Sequence, residues 1–298
     1  MWRRHRSAMR VGIIDVGSNT VRLLVTRAGR PLLSQRAMPR LGADVERYGR
    51  IRARKIAETA EVVSGFAAAA RDAGTERLEL LITSPGRQAG NGAELLEALT
   101  LAARCPARII GAEEEGRLAF VGALSVAAPP PRRTVAVLDV GGGSAQLVVG
   151  SRRDGPQWAR SIDVGSQRLT SRLLSADAPG GDAVAAARAE IDRYLVDLEP
   201  PAPRGCFAVG GSARAAKRIA GPRLGGDELT TLLDLVAHSP AADLADSYGI
   251  DADRSRTLAA GVVILSAFHA LVDTPLTVVR GGLRDGAVAE LAARRAGS

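Results

Sequence analysis

The chain has 298 residues, room for two domains with a sizeable core, and its 46% hydrophobic and 24% charged residues exclude a disordered chain. No run of about 18 apolar residues is present, which excludes a transmembrane helix, and the two cysteines, Cys105 and Cys206, lack the spacing of a disulfide scaffold, a zinc site or a redox motif, so the cytoplasm is the expected compartment. The net charge of +8 comes almost wholly from arginine, since Lys55 and Lys217 are the only lysines; it fits either a polyanionic partner or simple replacement of Lys by Arg.

Met1 to Met9 is Arg-rich without the apolar stretch of a secretory signal, and reads as a frayed leader or an over-long start, with Met9 as the expected functional beginning. Val11–Ile14 is a short β-branched strand, followed by the turn chemistry of DVGSNT and a second apolar run, which together make a β-hairpin. Residues 51–72 read as a long helix with Ile56, Ala60, Val63 and Ala67 on one face and Gly74 as its stop. Residues 78–83 form a strand leading into SPGR, 93–104 a helix, 108–110 a strand and 113–124 a helix. Residues 127–133, AAPPPRR, break helix and sheet alike and predict a stiff linker between domains 9–126 and 134–298. Beyond it, 135–149 is a second hairpin, 181–198 a helix and 206–209 a strand entering GGSAR. Helices follow at 227–237, 240–248, 254–272 and 284–295, with a last strand at 277–279. Strands followed by helices, twice over, predict an α/β protein of two related lobes.

The two hairpins are copies of each other. VGIIDVGSNTVRLLV (11–25) and VAVLDVGGGSAQLVV (135–149) align without gaps, and Val11, Asp15, Val16, Gly17, Leu23 and Val25 recur as Val135, Asp139, Val140, Gly141, Leu147 and Val149. Each copy ends its first strand on an aspartate and turns through small residues. Gly17 in one, and Gly141, Gly142 and Gly143 in the other, let backbone N–H groups approach a phosphate closely, while Thr20 or Ser144 adds a hydroxyl. Asp15 and Asp139 suit a hydrated Mg²⁺ rather than an all-protein cage.

These residues resemble the exopolyphosphatase/guanosine pentaphosphate phosphatase (Ppx/GppA) family of the sugar kinase–Hsp70–actin superfamily. Asp15-Val-Gly-Ser-Asn-Thr-Val-Arg22 resembles its first phosphate motif and Asp139-Val-Gly-Gly-Gly-Ser144 its second. Thr83-Ser-Pro-Gly-Arg87 with Ala89 and Asn91 is similar to T-S-A-x-R-x-A-x-N, and Glu114-Glu115-Gly116-Arg117-Leu118 to E-E-A-R-L. Weaker similarity runs through Gly165, Arg168, Gly210-Gly-Ser212, Ala260-Gly261 and Gly282-Leu-Arg-Asp-Gly286.

The resemblance implies two actin-like (ribonuclease H-like) lobes with an active-site cleft between them, and Mg²⁺-dependent hydrolysis of a terminal phosphoanhydride of polyphosphate, or of pppGpp. It implies Glu115 as the catalytic base with Asp139 as a second catalytic group, Asp15 and Asp139 as metal ligands, and Arg22 and Arg87 as phosphate clamps. It implies that Ser18, Asn19, Gly142, Gly143 and Ser144 form the phosphate cradle, with Gln146 as a further phosphate-binding residue. The expected partners are polyphosphate or guanosine phosphates, without a membrane or specific nucleic acid, and a homodimer stays open.

Within the same stretch Glu113 and Glu114 read as solvated acids, Arg117 as a helix brace, and Arg168 and Arg284 as lesser ligand candidates. His5, His238 and His269 match no ligand spacing, and Trp158 and the phenylalanines read as core. Three departures stand out: Gln146 where the family motif has Glu, Arg280 at an acidic position, and Pro85-Gly86 in the Thr83–Arg87 motif. Gln146 removes one negative charge, which predicts a weaker metal site and keeps a second reading in play, a non-catalytic polyphosphate or alarmone regulator. A kinase of the same superfamily is disfavoured by the Thr83–Arg87 and Glu114–Leu118 motifs, and a nucleic-acid binder by the 3% aromatic content. The chain also leaves no room for the additional C-terminal domains of longer relatives.

Overall fold

The computed structural model describes residues 9–130 and 132–294; residues 1–8 of the expected leader, with His5, and residue 131 of the proline stretch lie outside the described residues. The contacts divide the chain into two compact units, one running through Ile110 and taking in the segment from Arg284, the other spanning Gly111–Leu283.

In the first unit, strands β1 (Arg10–Val16), β2 (Val21–Arg27) and β3 (Arg30–Ala37) lead into helices α1 (Leu41–Tyr48) and α2 (Ala53–Asp72). Then come β4 (Arg77–Ile82), α3 (Ser84–Gln88), α4 (Gly92–Ala103) and β5 (Ala107–Ile109). The sheet order is β3-β2-β1-β4-β5, with β3–β2 and β2–β1 antiparallel and β4 parallel to β1 and β5. Ile56, Val63, Ala67 and Ala70 fall on one face of α2 and pack with Ile14, Leu23 and Val25 of the hairpin and Leu95 and Leu99 of α4. Gly74 follows α2 at φ 72°, as expected of its stop.

The second unit opens with α5 (Ala112–Ala127) and continues through β6 (Val135–Val140), β7 (Ala145–Ser151), β8 (Gly155–Ile162), α6 (Ser166–Leu173) and α7 (Gly181–Leu195). Next are β9 (Cys206–Gly210), α8 (Gly211–Ala220), β10 (Arg223–Leu224), α9 (Gly226–His238), α10 (Ala241–Tyr248), α11 (Ala252–Ser255), α12 (Leu258–Val272) and β11 (Leu276–Val278). Its sheet order is β10-β11-β9-β6-β7-β8. Apolar on all sides, α12 is the central buried helix of this unit, packed with Leu138, Leu147, Leu229 and Leu232. The chain then enters α13 (Leu283–Ala293), where Arg77 donates to the carbonyl of Leu291 at 3.3 Å and Arg294 lies 3.7 Å from Glu79. Among the described residues no helix is long and apolar enough to cross a membrane.

Each sheet places an antiparallel three-strand meander beside strands parallel to its first member. Each unit is therefore an α/β lobe of the actin-like, ribonuclease H-like type. The duplication also extends beyond the two hairpins. A third strand follows in each unit, offset by a bulge at Val25/Thr26 and at Val149/Gly150, with Pro31 and Pro156 in equivalent places opposite Thr26 and Gly150. Both prolines are tolerated because β3 and β8 are edge strands. A short helix, α1 or α6, closes each copy.

Three expectations are corrected. The units do not divide at 127–133, between 9–126 and 134–298: α5 buries Ala119, Phe120, Ala123 and Leu124 against Val135, Val137, Val148 and Val209, and the segment from Arg284 rejoins the first unit. The helix predicted over 254–272 is two helices, α11 and α12, separated at Arg256 and Thr257. Trp158 packs against the core of the second unit rather than within it, half-buried on the edge strand β8 with the Arg160 guanidinium 5.5 Å from its ring centroid, whereas Phe120 and Phe268 are fully buried. Both cysteines are free, and burial pushes the Cys105 thiol up to about 11 and the Cys206 thiol up to about 12, so neither is a ready nucleophile.

Candidate functional site

In the first unit the turn between β1 and β2 is closed by the Gly17 N–H donating to the Thr20 carbonyl at 3.0 Å. Its residues Ser18, Asn19 and Thr20 are buried. The turn is anchored from two directions. The Ser18 and Ser84 hydroxyls lie 2.7 Å apart, tying it to α3, while the Ser18 carbonyl accepts from the Gly42 N–H at 2.7 Å, tying it to α1. Thr83 donates its N–H to the Val16 carbonyl at 3.0 Å. The turn and the Thr83–Arg87 motif therefore form one structural unit. Asn19 Oδ1 is buried without a hydrogen-bond partner.

Asp15 pairs with Arg22 across the β1–β2 ladder. Burial raises its carboxyl above the usual carboxylate range, and the nearby guanidinium groups of Arg284 and Arg22 pull it partly back. Arg284, a lesser candidate from sequence, thus acts on Asp15 within this unit. Arg87 is half-buried and donates Nη1 to the Ile110 carbonyl at 2.8 Å, which fixes its side chain.

The second unit repeats the turn. Gly141 donates its N–H to the Ser144 carbonyl at 3.0 Å. Ser166 caps the Gly141 carbonyl at 2.9 Å, and Gln167 and Arg168 cap that of Gly142 at 2.9 and 3.2 Å through their backbone N–H groups. The start of α6 is thereby used to hold the glycine turn. Arg168 also directs Nη1 to the Asp163 carbonyl at 2.8 Å.

Asp139 lies at the end of β6, opposite Gln146 of β7. Gln146 is buried and donates Nε2 to the Ser144 hydroxyl at 2.9 Å and to the Ser161 hydroxyl at 3.2 Å. At the start of α5, Glu113 is exposed, but Glu115 is only 8% exposed. Its neighbour Gly116 packs directly on β7: a Cβ there would stand 3.0 Å from Val148 Cγ2 and 3.4 Å from Gln146 Cβ. Glu115 is thus held beside the second hairpin. Arg117 lies 3.9 Å from Glu114, the helix brace expected of it.

The sequence reading missed Ser84, Ser161 and the role of Gly116. Ser84 lies inside a recognised motif; Ser161 lies on a strand that carries no apolar run. His238 is exposed on α9 and His269 half-buried on α12. Among the described residues no three His, Cys, Asp or Glu side chains cluster as a metal cage. Each hairpin, taken by itself, offers one aspartate as a hard oxygen donor, Asp15 in the first unit and Asp139 in the second, the ligand chemistry that a Mg²⁺ ion takes.

The model of the Ppx/GppA phosphatase family matches residues 25–295. Exopolyphosphatase 1 of Mycobacterium tuberculosis is 30% identical over 302 residues, covering 94% of this chain and 87% of that protein. Exopolyphosphatase 2 of the same organism is 33% identical over 196 residues, 60% of this chain and 59% of that protein. Among solved structures, an exopolyphosphatase from Cytophaga hutchinsonii superposes with a TM-score of 0.86 at 21% identity, covering 97% of this chain and all of that one (100%). The Aquifex aeolicus member of the Ppx/GppA family gives 0.81 at 23% identity, covering 97% and 99%. These structural likenesses agree with the lobe architecture, and the sequence matches settle the family: the chain belongs to the Ppx/GppA phosphatases.

Proposed function

We propose that this protein is a Mg²⁺-dependent exopolyphosphatase that removes the terminal phosphate of inorganic polyphosphate, with pppGpp, which ends in the same anhydride, as a further candidate substrate. The observation that carries this reading is the burial of Glu115 two residues along the helix from solvent-exposed Glu113. A merely solvated acid at a helix start would stand exposed as Glu113 does, because moving a carboxylate out of water is costly.

Glu115 takes a proton from the attacking water as its oxygen bonds to the terminal phosphorus. The anhydride P–O bond breaks, and the shortened chain leaves with the electron pair. Arg22 and Arg87 hold phosphate oxygens through guanidinium forks, and the turns 17–20 and 141–144 present backbone N–H groups and the Thr20 and Ser144 hydroxyls. Asp15 and Asp139 would hold the Mg²⁺, which would supply neutralisation of phosphate charge. Two free thiols, one buried and one half-buried, support a cytoplasmic setting for the reaction.

A second reading, a non-catalytic polyphosphate or alarmone sensor, is favoured by the neutral amide of Gln146 opposite Asp139. Phosphate release from polyphosphate of defined length and from pppGpp, with and without Mg²⁺, separates the two. Metal-dependent release supports the enzyme. Binding without release at any metal concentration overturns it in favour of the sensor.

A further inference from the structure

We propose that Gln146 and Ser161 are positioning residues that hold the Ser144 hydroxyl, and with it the turn 141–144, in its phosphate-binding orientation; this rests on the functional reading above.

The three residues form a relay. Asp139, Gln146 and Ser161 stand side by side across β6, β7 and β8, on one face of the sheet. The corresponding row in the first unit is Asp15, Arg22 and Arg36, so two guanidinium groups there are replaced here by an amide and a hydroxyl. An amide nitrogen has two hydrogens, and Gln146 uses them on two hydroxyls, Ser144 at 2.9 Å and Ser161 at 3.2 Å. A Ser144 oxygen that accepts from Gln146 keeps its own hydrogen available to donate to a phosphate.

The stem of Gln146 is fixed as firmly as its head. Its Cβ and Cγ lie 3.4 and 3.5 Å from the position a Cβ on Gly116 would take, and the residue is only 2% exposed. A side chain clamped at both ends is a brace, whereas a direct ligand would need its amide turned to the substrate. Ser161, half-buried on an edge strand, is the far anchor of that brace.

The test compares Gln146→Met, which keeps the packed stem and removes the donor, with Ser161→Ala, Ser161→Thr and the double variant Gln146→Met/Ser161→Ala. For each, KM and kcat for phosphate release and the equilibrium Kd for polyphosphate are measured, with thermal melting to confirm folding. Loss of one neutral hydrogen bond in Ser161→Ala and of two in Gln146→Met, only one of them to Ser144, predicts KM and Kd raised about 3- to 10-fold in each single variant, with kcat within about 2-fold of wild type. The double variant should be no worse than Gln146→Met alone, and Ser161→Thr should restore the wild-type values. Wild-type affinity in Ser161→Ala, or losses that multiply in the double variant, would overturn the relay and make Gln146 a direct ligand. Wild-type binding without turnover removes the enzyme reading while the Kd comparison still decides the relay. Absence of both binding and turnover in wild type overturns the two together.

Discussion

Gln146 faces Asp139 across the β6–β7 ladder in the register in which Arg22 faces Asp15 across β1–β2. The two hairpins are thus duplicates in backbone and unlike in charge: the first sets its aspartate opposite a cation, and the second sets its aspartate opposite a neutral amide. Residues directly opposite on an antiparallel pair interact most strongly, so this exchange changes the charge that each aspartate faces.

Gln146→Glu places a second carboxylate on the same face as Asp139. Paired carboxylates attract a hard divalent cation, so the Mg²⁺ concentration for half-maximal activity should fall several-fold. The introduced carboxylate, once ionised, accepts the Ser144 hydrogen rather than donating to its oxygen, so KM for polyphosphate should rise in the same variant. Magnesium titrations at saturating substrate and substrate titrations at saturating Mg²⁺ check the two effects separately; an unchanged metal requirement removes Gln146 from the metal's surroundings.

Asp15 makes a pH-dependent contribution to stability. Its folded carboxyl lies above the usual 3.8, chiefly through burial, with Arg284 and Arg22 opposing. The folded state therefore binds more protons than the unfolded state, and stability falls as pH rises from 3.8 through the folded pKa. Asp15→Asn should melt higher than wild type near neutral pH without metal, with a flatter pH dependence, and should lose activity at least about 10-fold. Melting curves across acid and neutral pH test this. Parallel curves for the two proteins would contradict it.

Arg22→Ala and Arg87→Ala should each raise KM for polyphosphate and lessen its dependence on ionic strength, because each removes a cation whose attraction is screened by salt. Arg87, fixed by its bond to the Ile110 carbonyl, is already oriented before substrate arrives. KM measured over a salt series should be steepest for wild type, and equal slopes in all three proteins would count against the clamps.

Gly210→Ala tests the backbone behind Asp139. Gly210 has φ 98°, and a Cβ there would stand 2.6 Å from the Val140 carbonyl oxygen and 2.9 Å from Asp139 Oδ1. Strain and displacement of the aspartate should cost about 2 kcal/mol of stability, read by denaturant unfolding, together with a loss of turnover. A variant as stable and active as wild type would show that this strand end relaxes freely.

Much of this arrangement was legible in the sequence because its signals were local. The 11–25 and 135–149 repeat predicted both hairpins and their aspartates, and the periodicity of Ile56, Val63 and Ala67 predicted α2. What escaped had no local signal. β3 (RPLLSQRA) and β8 (GPQWARSI) are edge strands with a polar face and a proline each, so neither shows an apolar run. The proline stretch after α5 looked like a domain boundary, but the unit to which α5 belongs was decided by which sheet covers Phe120 and Leu124, a contact with residues far along the chain. In the candidate site, the internal repeat carried Asp15 and Asp139 into view and the family resemblance carried Glu115, whereas Ser161 and Gly116 gain their roles only from the register of β8 and the approach of α5.

The central claim is that buried Glu115 is the base. Glu115→Gln keeps the shape of the side chain and removes its ability to take a proton, so the fold and KM should stay near wild type while kcat for phosphate release from polyphosphate at saturating Mg²⁺ falls by ~10²-fold or more. A Glu115→Gln protein turning over within a few-fold of wild type would contradict the account and assign the base elsewhere.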